Sequence, residues 1–165
     1  MSNIVVYTSG TGFTEKYAKW IGKELQCEVS ELKKTDVSTL NNYDTVIYGG
    51  WVMAGMVSGY NKLKNLGLKN LIVFSSGITI SSDAVREKIA KQNDIPLQKF
   101  FYFEGGYAPN KVGFFGKMII HMITSSIKKK EDKTKDDVHM LETTKGADHT
   151  DKNAIVSLIE FVHTV

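Results

Sequence analysis

A doubly wound α/β domain, a parallel sheet with helices on both faces, is the fold class that the sequence predicts. Three observations carry this. Short apolar runs of strand length alternate with longer amphipathic segments. Several of those runs stop at small residues, as at Gly49-Gly50, Ser75-Ser76-Gly77 and Gly105-Gly106. The 165 residues suffice for one domain with a sizeable core.

Ile4-Val5-Val6-Tyr7 is the first strand. From Thr14 onward Tyr17, Ala18, Ile21 and Leu25 recur at helical spacing and predict the first helix. Val29 to Leu32 is a weak second strand, expected at a sheet edge. Thr45-Val46-Ile47-Tyr48 is a clear third strand that stops at Gly49-Gly50. A short helix is expected over residues 59–66. Leu71-Ile72-Val73-Phe74 is the fourth strand, followed by a helix capped by Ser82 or Asp83 with Val85, Ile89 and Ala90 inward. Lys99 to Phe103 is the fifth strand. The last helix opens near Thr150 or Asp151 and buries Ile155, Leu158, Ile159 and Val162. Residues 107–149 are too long for a strand-to-helix turn and form an irregular, partly helical insertion within a single domain spanning 1–165.

Composition narrows the function classes. Hydrophobic content of 42% and charged content of 24% are those of a globular protein, which excludes a disordered chain. The net charge of +3 is modest, and no basic cluster is interleaved with aromatics, so nucleic acid is not an expected partner. The single Cys27 reads as a small buried hydrophobe, which with the absence of a signal-like start points to a reducing cytoplasm. No apolar run approaches the roughly 20 residues that cross a bilayer. The four histidines show no ligand spacing, and no metal site is expected.

The chemistry lies in the segment Thr8-Ser9-Gly10-Thr11-Gly12-Phe13-Thr14, between the first strand and the first helix. Backbone N–H groups at a helix N-terminus, with glycines that allow close approach, suit a phosphate. Ser9, Thr11 and Thr14 add hydroxyl donors. No lysine or arginine lies in the loop, so neutral donors alone are expected to hold the anion. A triphosphate loop would read Gly-Lys-Ser/Thr where this chain reads Gly12-Phe13-Thr14. A dinucleotide loop needs a third glycine where Glu15 stands. A phosphorelay receiver needs acidic residues where Tyr7-Thr8 stand.

Ser9-x-Thr11-Gly12-x-Thr14 resembles the phosphate loop of flavodoxins. The resemblance implies a flavodoxin-like three-layer α/β/α fold, with a five-stranded parallel sheet in the order 2-1-3-4-5. It also implies FMN as cofactor, with its monophosphate wrapped by the loop, and electron transfer as the activity. Chemistry would then reside on the flavin, with no catalytic side chain required. A phosphate held without positive charge, and a ring among apolar groups, would favour low-potential one-electron transfer.

Ligands of open α/β sheets bind beyond the carboxyl ends of the strands. Gly50-Trp51-Val52-Met53-Ala54-Gly55, after the third strand, reads as a flexible loop that lays an apolar plane against a flat ring. By the resemblance, Trp51 is the stacking residue and Ala54-Gly55 the movable peptide. Ser75-Ser76-Gly77, after the fourth strand, would close on another edge of the ring. Flavodoxins often carry a tyrosine there; this chain has none, and Tyr107 is the available substitute.

Phe114, Phe115, Met118, Ile119, Met122, Ile123 and Ile127 predict an amphipathic helix with a basic exit at Lys128-Lys129-Lys130. Two readings stand: a helix packed on its own domain, or one that touches a membrane or an apolar partner, which would place the protein at the inner membrane face. Lys128 to Asp137 reads as a solvated loop. Gly105-Gly106-Tyr107, Phe115-Gly116-Lys117-Met118-Ile119 and Asp132-Lys133-Thr134 resemble a flavodoxin-domain branch that includes the menaquinone-dependent protoporphyrinogen IX dehydrogenases. Those enzymes carry arginines and aromatics where this chain has Ala108-Pro109-Asn110-Lys111. Three functions follow: an FMN electron carrier docking on a redox partner protein, an FMN-dependent oxidoreductase using a quinone, or a flavin-free binding module.

Overall fold

A computed structural model describes residues 1–165. Five parallel strands form the main sheet: β1 (Asn3–Thr8), β2 (Glu28–Glu31), β3 (Thr45–Met53), β5 (Leu71–Gly77) and β6 (Phe100–Glu104). Their spatial order is β2-β1-β3-β5-β6, and the two-residue β4 (Met56–Val57) folds back antiparallel on β3. Counted along the five parallel strands, this is the predicted order. The order in which strands are added reverses between β1 and β3, which leaves a crevice beyond their carboxyl ends.

Successive strand residues point to opposite faces, and each face buries its own core. On one face Val5, Ile47, Ile72, Phe74 and Phe103 pack under α1 (Phe13–Leu25) and α5 (Val156–Val162), through Tyr17, Ala18, Ile21, Leu158 and Val162. On the other, Ile4, Val6, Val46, Tyr48, Val73, Phe100 and Tyr102 meet Ile89 and Ala90 of α2 (Asp83–Gln92). Each large apolar side chain so buried contributes about 1.5–3 kcal/mol. Ser82 caps α2 by accepting the Val85 amide, as expected.

The structure differs from expectation at five places. β3 does not stop at Gly49-Gly50; both glycines pair with β1 and β5, and the strand runs on to Met53. Residues 59–66 hold only a single 3-10 turn, Tyr60–Lys62. The last helix begins at Val156, preceded by a 3-10 turn (Lys152–Ile155) capped by Asp151. Residues 107–149 contain the expected amphipathic helix as α3 (Phe114–Lys128), but add a second helix, α4 (Lys135–Thr143), where none was expected. Finally, the stretch from Lys128 to Asp137 is not all solvated loop. Asp137 is buried, accepts two hydrogen bonds from Lys130 at 2.8 and 3.0 Å, and closes a capping box with Thr134 at the start of α4. The Lys130 ammonium, helped by the Thr134 amide, holds the Asp137 carboxyl below its ordinary range.

A clasp joins the two ends of the insertion. β7 (Gly106–Tyr107) pairs antiparallel with β8 (Ala147–Asp148). The Gly105 amide donates to the Gly77 carbonyl at 2.7 Å, and the His149 amide to the Gly105 carbonyl at 2.8 Å. A Cβ on Gly106 would run into the Ala147 carbonyl and approach the Phe13 ring at 2.8 Å, so the clasp requires glycine there. It also brings the His139 and His149 rings to a centroid separation of 4.8 Å, a pairing that sequence spacing did not suggest.

Candidate functional site

A cavity of about 560 Å³ opens at the carboxyl ends of β1, β3, β5 and β6, with the insertion as its roof. That lies within the range of about 300–1,000 Å³ typical of small-molecule sites.

One end is built from donors. The first backbone bond of α1 runs from the Lys16 amide to the Gly12 carbonyl at 3.0 Å. The amides of Phe13, Thr14 and Glu15 therefore have no carbonyl partner within the helix. Gly12 adopts φ 103°, a left-handed conformation open to glycine, and donates its amide to Ser9 Oγ at 3.0 Å. Ser9 accepts in that bond, so its own proton is left for a ligand. Thr14 is buried, with Oγ1 2.7 Å from Ser76 Oγ. One proton suffices for that contact, and the second hydroxyl proton of the pair is likewise available.

The rest of the wall is mainly apolar. Trp51 stands at the end of β3, its Nε1 3.7 Å from where a Cβ on Gly10 would lie. Ala54 and Gly55 turn the chain from β3 into β4 with φ 50° and 80°. Two successive positive φ values make a hairpin turn of the type that suits twisted strands, and Ala54 holds its value at a cost of about 1 kcal/mol. The turn is bolted to the end of α2. Gln92 Nε2 donates to the Ala54 carbonyl at 2.9 Å, Asn93 Nδ2 to the Gly55 carbonyl at 2.8 Å, and the Val57 amide to Asn93 Oδ1 at 2.9 Å. The expected flexible loop is thus a short hairpin with a tethered tip.

After β5, the Tyr102 hydroxyl donates to the Thr79 carbonyl at 2.9 Å and the Ser81 amide to Glu104 Oε1 at 2.8 Å, fixing the loop against β6. Burial pushes the Tyr102 hydroxyl upward in pKa. The roof is Val112, Gly116, Ile119, Ile120 and Ile123, with Met140 of α4 behind them.

The cavity brings together Ser9, Gly10, Thr11, Phe13, Thr14, Trp51, Val52, Met53, Ala54, Gly55, Ser76 and Gly77 of the sequence-derived site. It does not include Thr8, Gly12, Gly50 or Ser75. The Thr8 hydroxyl is turned to Tyr48, 2.8 Å away beneath the loop. The Gly12 contribution is conformational. Gly50 is covered by the Ser58 backbone. Ser75 points into the core, where its hydroxyl finds no partner. Tyr107 does line the cavity.

Lys111 was missed. Its Nζ lies 4.0 Å from where a Cβ on Gly12 would be, so an ammonium from outside the loop stands beside it. The visible signal was Pro109, which favours the second position of a tight turn and brings Lys111 round toward the sheet. Ile120 and Met140 were missed because their place depends on how α3 and α4 dock. No group of three or more His, Cys, Asp or Glu side chains converges anywhere.

The sequence model of the flavodoxin domain family matches residues 4–135. Among solved structures, oxidised flavodoxin 2 from Bacillus cereus is 18% identical, with all of both chains covered and a TM-score of 0.50. A flavodoxin, WrbA-like protein from Agrobacterium tumefaciens is 14% identical over 96% of this chain and 98% of its own, at a TM-score of 0.48. A flavodoxin from the domain Archaea is 18% identical over 67% and 88%, at 0.47. The likeness to the Bacillus cereus protein is one of fold. A search of curated proteins found no match.

Proposed function

This chain belongs to the flavodoxin domain family, and from that premise we propose that it binds FMN and works as an electron-transfer protein. The observation that carries the reading is the division of the cavity into a donor-rich end at Ser9–Thr14 and an apolar remainder containing Trp51. A phosphate ester on a flat aromatic ring is the ligand class that such a division fits.

Free amides of the loop, with the hydroxyls of Ser9, Thr11 and Thr14, would hold the phosphate. Trp51, Val52, Met53, the Ala54-Gly55 turn and Ser76-Gly77 would hold the ring. Bound flavin supplies the one- and two-electron chemistry. The protein fixes the ring's place, excludes water with the α3 roof, and presents the Ala54 carbonyl, which itself accepts one exposed hydrogen bond, from Gln92, on a turn that Asn93 anchors separately. Releasing that bond costs about 0.5–1.5 kcal/mol, small enough for the peptide to change orientation. Rotation of this peptide is the device by which the chain would answer a change in the ring's protonation.

A second reading is favoured by the roof. Ile119, Ile120, Ile123 and Met140 extend the apolar wall of the cavity beyond the Ser9–Thr14 loop and Trp51, which would suit a flat organic substrate oxidised there, with a quinone as acceptor. The same helix supplies a docking surface. At about 100° per residue, Ile119, Ile123 and Ile127 face inward, while Phe114, Phe115, Met118 and Met122 form a separate outer stripe. Phe114 and Phe115 are 77% and 74% exposed and Met122 64%. With Lys117, Lys128 and Lys129 beside it, that stripe is suited to an anionic lipid surface. No helix is long and apolar enough to cross a membrane.

Expression and purification provide the test. The protein should be yellow and release FMN on acid treatment. A colourless preparation that also fails to take up added FMN would end the proposal.

A further inference from the structure

The charge on Lys111 has no partner within the chain. It forms none of the seven ion pairs, and the lysine ammonium groups that donate hydrogen bonds are those of Lys16, Lys99, Lys130 and Lys133. Glu15, the acidic residue nearest the loop in sequence, is turned to Lys19 at 2.6 Å. Apart from tyrosine hydroxyls, Lys111 is the one ionisable group in the cavity wall, and it stands at the donor-rich end beside Gly12.

Its position is built rather than incidental. Ala108-Pro109-Asn110-Lys111 is a tight turn closed by the Lys111 amide donating to the Ala108 carbonyl at 2.9 Å, with proline at the second position. Behind the turn, Pro109 Cδ lies 3.4 Å from where a Cβ on Gly146 would be, so it rests on the chain just before β8. The β7–β8 ladder thus fixes one side of the turn and the Gly113 cap of α3 the other.

We propose that Lys111 is the counter-charge of the ligand's phosphate, delivered by the insertion and not by the loop, and that it makes the site selective for phosphorylated over unphosphorylated flavin. The inference rests on the FMN reading above and adds to it a cation that the Ser9–Thr14 motif does not contain. Free amides and hydroxyls fix the ester oxygens. The ammonium, exposed at the mouth of the cavity, then offsets part of the charge that remains, and the interaction is correspondingly sensitive to salt.

The test compares wild type, Lys111→Gln and Lys111→Arg by flavin fluorescence titration with FMN and with riboflavin, at low and high salt. Lys111→Gln should weaken FMN binding about tenfold to a hundredfold, the range of one charge-assisted hydrogen bond. It should leave riboflavin binding unchanged and flatten the salt dependence of FMN binding, while Lys111→Arg retains most of the affinity. Equal FMN affinity and equal salt dependence in wild type and Lys111→Gln would overturn the proposal while leaving the FMN reading intact. A wild type that binds neither flavin would overturn the FMN reading itself, and the role of Lys111 with it.

Discussion

Thr14 Oγ1 and Ser76 Oγ lie 2.7 Å apart although 62 residues separate them in the chain. This bond ties the start of α1 to the end of β5, the two places from which donors reach the cavity. Its neighbour in sequence behaves oppositely, since the Ser75 hydroxyl is buried without a partner. Ser76→Ala strands the Thr14 hydroxyl and should destabilise the protein by about 1–3 kcal/mol. Ser75→Ala removes a polar atom that gains nothing from burial and should be neutral or stabilising. Urea midpoints of the two variants check the contrast, and it fails if both lose stability equally.

Thr11→Asp would set a carboxylate against the incoming phosphate. Like charges brought together across a binding site cost several kcal/mol. FMN affinity should therefore fall by at least about a hundredfold, while the urea midpoint of the ligand-free protein stays put because Thr11 is not in either core. Unchanged FMN affinity by fluorescence titration would show that the phosphate site lies elsewhere.

Burial pushes the hydroxyls of Tyr17 and Tyr48 up to about 12. In the unfolded chain both ionise near about 10. The folded state therefore holds their protons where the unfolded state has lost them, and stability falls as pH rises from about 10 to 12. Denaturation midpoints measured across that window should decline. Tyr17→Phe should decline less, because the Tyr17 hydroxyl, which donates to the Glu104 carbonyl at 2.6 Å, is then gone.

The outer stripe of α3 makes a separate claim. Replacing Phe114 and Phe115 with serine should abolish co-sedimentation with vesicles containing anionic lipid, and leave the flavin spectrum as it is, since neither side chain lines the cavity. Wild type that ignores such vesicles at low salt would remove the lipid surface as its partner.

Strands were legible wherever an apolar run was bounded by polar or small residues, because burial on two faces demands such runs. The end of β3 was not: Gly49-Gly50 has the look of a terminus, yet β1 and β5 flank it and pair the strand as far as Trp51, after which β4 pairs Val52 and Met53. The start of α4 was hidden in a mixed charge run whose one clue was the Thr134-x-x-Asp137 spacing of a capping box. At the site, the Ser9–Thr14 loop was readable because strand, glycines and helix are contiguous. Lys111 was not, because its place beside Gly12 is set by the clasp between β7 and β8, a contact between residues 106–107 and 147–148.

Amide chemical shifts of the ligand-free protein during titration with FMN test the central claim most directly. The largest changes should fall on Gly10, Thr11, Phe13 and Thr14, and be missing from that set when riboflavin replaces FMN. Large shifts confined to other parts of the chain, with these four amides unmoved, would contradict a phosphate seated on the loop.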